Sequence, residues 1–195
     1  MKKGYDEVWL SKELKIRDID FEKVMKPLDY KTLRKEMREF VITLDQDPTK
    51  DLIAALSSYA TIDAYYHRVL EMNSRARRSF MRKENLLRTV KSIVEQSMFD
   101  IQTSDDEIAA LSSADKRTAA AKSLLSDIIV TQDRIGTTLT EARAFQSEVE
   151  DKRRALESSY NSLSRQQSLI EGPILTIHPE KLGIRKTNLK GKDKQ

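Results

Sequence analysis

No cysteine occurs among the 195 residues. Disulfides, thiolate metal sites and cysteine nucleophiles are therefore excluded, and a reducing compartment is the natural setting. Glycine and proline are scarce, at 5 and 4 residues, so tight turns and helix breaks must be few. Aromatic residues reach only 6%. There is no apolar run of about 18 residues to cross a membrane. The opening stretch "MKKGYDEVWLSKELK" begins with basic residues but lacks the apolar core of a secretory signal. The expected location is cytoplasmic.

Signals for catalysis are equally sparse. No glycine-rich phosphate loop and no nucleophile motif is present. His67 and His178 are the only histidines. His67 lies beside Tyr65 and Tyr66 on a long helical pattern, where a surface or interhelix role is expected rather than that of a general base, which needs an oriented partner, and His178 precedes Pro179 in an expected loop. Asp105, Asp106 and Glu107 resemble metal ligands, but acids in a helix's first turn are explained more simply by the helix dipole. A non-enzymatic protein without catalytic residues, metal or cofactor is expected.

What the chain does have is charge, at 34%, and apolar residues, at 38%, in helical register. An all-α fold follows, with three zones. Residues 1–46 hold short helices: "DIDFEKVMK" starts at Asp20 as N-cap and stops near Pro27, and "DYKTLRKEMREFVITL" spaces Leu33, Met37, Phe40, Val41 and Leu44 as one face. Residues 47–171 form an elongated antiparallel, coiled-coil-like helical hairpin. Its first helix is capped by Asp47 and Pro48 and spans roughly 70 Å. Along it Ile62, Val69, Ala76, Lys83 and Val90 recur every seven residues, with Tyr65, Met72, Ser79, Leu86 and Ile93 as companions. A turn over about 97–113 carries a capping box at Ser104 and Glu107 and a second cap at Ser113. The second helix carries eight apolar residues at heptad spacing: Ala121, Ile128, Ile135, Ala142, Val149, Leu156, Leu163 and Ile170. Ile128, Ile135, Val149, Leu156, Leu163 and Ile170 are the expected hairpin and oligomer seam. Its companion line is only half apolar (Leu124, Thr131, Thr138, Phe145, Lys152, Ser159, Gln166), which argues for added helices or subunits and so for a homo-oligomer. Gly172 and Pro173 are expected to end it. Residues 172–195 form a flexible tail: "ILTIH" reads as a strand or extended arm, followed by six Lys/Arg against one Asp in 181–195.

The strongest charge feature is "RARRSFMRKENLLRTVK". Residues 68–91 hold eight Lys/Arg against two Glu. Arg75, Arg77, Arg78, Arg82, Lys83, Arg88 and Lys91 are the candidate nucleic-acid-binding residues, because Arg and Lys hold phosphates without reading bases. Arg68, Arg75 and Arg82 fall at the heptad position flanking the seam, where pairing with acids of a neighbouring helix is the competing explanation. Tyr59, Tyr65, Tyr66 and Phe80 offer base-stacking faces if exposed, although their spacing favours burial. Nothing resembles a duplex-reading motif.

The long helix with "YATIDAYYHRVL" leading into this basic stretch, the turn near "SDDEIAAL" and the final helix "ADKRTAAAKSLLSDIIVTQDRIGTTLTEARAFQSEVEDKRRALESSY" together resemble UvsY-like recombination mediators of tailed phages, over roughly residues 50–170. The resemblance implies a helical oligomer that binds single-stranded DNA and helps load a RecA-like recombinase onto strands covered by a single-strand-binding protein. It also implies DNA contact on the helix before the turn, with Arg88 and Lys91 the nearest matches, and a late basic cluster at Lys152, Arg153 and Arg154. Two other readings of the same residues remain: a phage virion or scaffold protein whose basic patch packs on acidic neighbours, and an adaptor coiled coil.

Overall fold

The structure is a computed structural model that describes residues 4–41 and 52–177, without side-chain detail at 52–56, 163, 166, 167 and 169–177. Among the described residues every element is helical: α1 (Glu7–Ile16), α2 (Phe21–Met25), α3 (Tyr30–Glu39), α4 (Leu52–Ser104), α5 (Asp106–Ala109), α6 (Ala114–Leu124) and α7 (Ser126–Ile177). No helix among them is long and apolar enough to cross a membrane. The expected cap at Asp47 and Pro48, the apolar position Leu44, the side chains of Leu163, Gln166 and Ile170, and His178 with the basic tail all lie outside the described residues.

Two compact units are present. The first contains Met1–Glu39 and Val69–Lys152, and the second contains Phe40–Arg68 and Arg153–Gln195. In the first, α4 runs antiparallel to α6 and α7: Gln102 Nε2 donates to Thr118 Oγ1 at 3.1 Å near the turn, and Asn73 Nδ2 donates to Glu150 Oε2 at 2.9 Å further along. The heptad lines supply the interface. Val69, Ala76, Leu86, Val90 and Ile93 of α4 are buried, as are Ala121, Ile128, Ile135, Ala142 and Val149 of the returning chain. Each large apolar side chain removed from water in this way contributes about 1.5–3 kcal/mol.

The half-polar companion line is completed by the N-terminal helices. Leu10 and Leu14 of α1 and Phe21 of α2 join the same core as Leu86, Val90 and Ile128. Arg134 ties both helices to α7, bonding Glu7 at 2.7 Å and lying 5.8 Å from the Phe21 ring centre. α3 docks through Phe145, which is fully buried; Tyr30 packs on it at 4.8 Å between ring centres and Arg34 lies over it at 5.8 Å. Arg34 also grips Glu148 through two bonds of 2.7 and 2.8 Å, which holds the Glu148 carboxyl below its usual range. The N-terminal zone therefore supplies contacts that two helices alone would lack.

Local chemistry sets the boundaries. Asp20 caps α2, accepting from the Lys23 amide at 3.1 Å, and Ser113 caps α6 through Lys116 at 3.3 Å. α1 closes with Asp18 in the left-handed region (φ 56°), and the Ile19 amide reaches back to the Leu14 carbonyl at 3.0 Å. Four expectations need correction. The cap of α5 is Asp105, which accepts from the amides of Glu107 and Ile108; Ser104 is still inside α4, because the carboxylate one residue later takes the capping role. α3 ends at Glu39, so Phe40 and Val41 lie beyond it. The second long helix is broken at Leu125, which is buried in place of Leu124, itself 40% exposed. α7 runs through Gly172 and Pro173 to Ile177, so "ILTI" is helical rather than a strand or extended arm. Proline removes only one backbone bond, and the described helix continues for about a turn beyond it.

In the second unit, Ile62 and Leu156 are buried. Tyr65 stacks on Phe40 at 4.8 Å, and Tyr66 stacks on Tyr160 at 5.9 Å. Tyr59 donates to the Tyr160 hydroxyl at 2.6 Å, a bond that raises the Tyr59 pKa to about 12.

Two substitutions test this packing. Phe145→Ala is expected to destabilise the protein by about 3–5 kcal/mol in urea unfolding followed by circular dichroism, because Phe145 holds α3 on α7. Gly136→Ala is expected to stabilise by about 1 kcal/mol in the same assay. The site is helical, and an added Cβ meets nothing within 4 Å.

Candidate nucleic-acid interface

The apolar line of α4 must face α6 and α7, so the intervening positions turn outward. Arg75, Arg77, Arg78, Arg82, Arg88 and Lys91 are all exposed. The helix thus presents six cations over the 17 residues from 75 to 91. Arg75 is paired with Glu71 one turn earlier at 2.7 Å, so the competing explanation holds for this residue, through its own helix. Among the described residues, no ion pair involves Arg77, Arg78, Arg82, Arg88 or Lys91. Exposed pairs such as Arg75–Glu71 are worth about 0–1 kcal/mol and are readily exchanged for a phosphate.

Lys83 departs from the expected set. It occupies a heptad core position and is 2% exposed. Its ammonium donates to the Val24 carbonyl of α2 at 2.9 Å. Burial lowers its pKa, since desolvation disfavours the charged form. This lysine cannot reach a ligand on the outer face; it fastens α2 to α4.

That fastening has a consequence for charge. α2 and the segment after it bring Lys23 and Lys26 against α4, where they form one wall of a recess with Val24, Pro27 and Leu28. Arg75, Arg78, Ser79 and Arg82 form the other wall, and the volume is about 380 Å³. No carboxylate lines it. Lys23 and Lys26 were missed by sequence reasoning because they lie about 50 residues from the arginines. Their spacing of three on a short helix next to Pro27 was the only local signal.

The aromatic residues are packed, as their spacing suggests. Tyr59, Tyr65 and Tyr66 have their rings engaged with Tyr160 or Phe40 within the second unit. Phe80 is half-buried. Arg68, Lys152, Arg153 and Arg154 all have partners; Arg153 bonds Glu157 at 2.7 Å. His67 lies 3.6 Å from Asp63 on the surface of its helix. No group of three or more metal-ligating side chains occurs among the described residues. The arrangement can bind polyanions through charge and directed N–H donors.

In comparisons with known proteins, no family model, curated protein or solved structure matches this chain.

The burial of Lys83 yields a signed pH prediction. Its folded pKa lies below its unfolded value of about 10.4. Between the two values the unfolded chain binds more protons, so Lys83 makes stability rise with pH across that window. Lys83→Met should remove this rise. The check is urea unfolding of both proteins from about pH 7 to about pH 10.5, over which the wild type should gain stability relative to Lys83→Met.

Proposed function

We propose that this chain is a non-enzymatic, homo-oligomeric protein that binds single-stranded DNA and acts as a recombination mediator. One observation carries the DNA part of this reading: Arg77, Arg78, Arg82, Arg88 and Lys91 stand exposed on one helix without a carboxylate partner among the described residues. Arg78 and Arg82 form one stripe of the helix and Arg77, Arg88 and Lys91 lie toward another side; a flexible nucleic-acid backbone offers negative charges to both, and neutralising each phosphate releases bound counterions. Arg dominates the set, as suits bidentate contact with phosphate oxygens. The mediator role, with a RecA-like recombinase and a single-strand-binding protein as partners, rests on the resemblance to the UvsY-like proteins. Exposed apolar side chains such as Ile16, Phe99 and Val130 are available for subunit contacts.

A second reading is a virion or scaffold protein. It is favoured by the Arg75–Glu71 pair, because a cation that has already taken an acid can equally take one from a neighbouring protein.

Titration of fluorescent oligo-dT at several salt concentrations separates the two. Five phosphate contacts give a slope of log K on log salt of about −3.5. Reversal of Arg78, Arg82 and Arg88 to Glu is expected to abolish binding while circular dichroism retains full helicity. Binding that survives the triple reversal, or that ignores salt, contradicts the assignment.

A further inference from the structure

We infer that the recess between α2 and α4 seats the backbone of a single strand and gives the protein a preference for single-stranded over double-stranded DNA. This rests on the nucleic-acid reading above and adds a place and a selectivity to it. Lys23 and Lys26 face Arg75, Arg78, Ser79 and Arg82 across a recess of about 380 Å³. That is at the small end of the roughly 300–1,000 Å³ typical of ligand sites, with room for a nucleotide-sized segment. Every titratable residue in its lining is a cation. A further positive charge lies behind the wall, since the Lys83 ammonium bonds the carbonyl of Val24, itself a lining residue.

The surroundings give the recess a direction. An adjoining recess of about 340 Å³ shares Lys23 and Arg82 but is lined also by Asp18 and Asp20. Those carboxylates repel a phosphate on that side. The favourable path for a polyanion therefore runs past Lys26, Arg75 and Arg78 and away from the aspartates.

A single strand can follow such a path, because it bends at each nucleotide and can turn its bases outward while its backbone enters. A duplex cannot. It is stiff over about 150 base pairs, and both its backbones wrap a cylinder too wide to pass between two helical walls. A duplex reaches the outer row, Arg88 and Lys91, but leaves the lysines of the opposite wall unused.

The test compares the full-length wild type with a Lys23→Ala, Lys26→Ala double variant and a Lys23→Arg, Lys26→Arg control. Both lysines are exposed, so the fold is expected to survive, as circular dichroism checks. Each protein is titrated with fluorescent oligo-dT and with a duplex of equal length over a range of salt. Loss of two phosphate contacts should shrink the single-strand salt slope by about 1.4 and weaken that binding at least tenfold. Duplex binding should be unchanged, and the arginine control should restore the single-strand slope. If the wild type binds single strands and the alanine variant keeps its slope, or loses duplex binding equally, the recess proposal is overturned while the outer row stands. If the wild type binds neither probe, the nucleic-acid reading fails and takes the recess with it.

Discussion

The structure of the first unit depends on burying one apolar line. Ala121, Ile128, Ile135, Ala142 and Val149 recur every seven residues along the returning chain, and all are buried. Hiding that line from water requires a matching line on α4, which Val69, Ala76, Val90 and the neighbouring Leu86 and Ile93 supply. Once α4 is turned to satisfy this contact, the remaining positions of its basic stretch have no choice but to point outward. The cationic surface is thus a geometric consequence of core packing, and its composition is what selection was free to set.

Lys83 shows where the two demands meet. It is the one basic residue of the stretch that falls on the core line, and a buried ammonium is costly to desolvate. The cost is partly offset by its bond to Val24, and the outcome is a fixed position for α2. That position brings two more cations to the arginines of α4 around a recess that no carboxylate lines. A side chain that weakens the hairpin in isolation therefore shapes the surface on which the proposed function relies.

Much of the architecture was legible because it is written in short-range chemistry. The heptad lines, the Asp20 and Ser113 caps and the stop of α2 before Pro27 each need only a few neighbouring residues to specify them. The misses have longer reach. A lysine at a core position reads equally as an exposed cation or as a buried anchor until its partner is known, and Val24 is 59 residues away. Lys23 and Lys26 join the site only through that tertiary contact. The break between α6 and α7 at Leu125, with Leu124 left 40% exposed, reflects the fit of a whole helix to its neighbours, and no cap or breaker announces it. The continuation of α7 past Pro173 shows that a proline does not by itself end a helix, since only one backbone bond is lost.

The most direct measurement is lysine footprinting of the full-length protein with an amine-acylating reagent, with and without oligo-dT, read by mass spectrometry. Lys91, Lys23 and Lys26 should lose reactivity when the strand is bound. Lys12 and Lys116, which are exposed on other helices, should keep theirs, and buried Lys83 should react poorly in both states. Uniform protection of all exposed lysines, or protection of Lys12 and Lys116 with Lys91 untouched, would contradict the account.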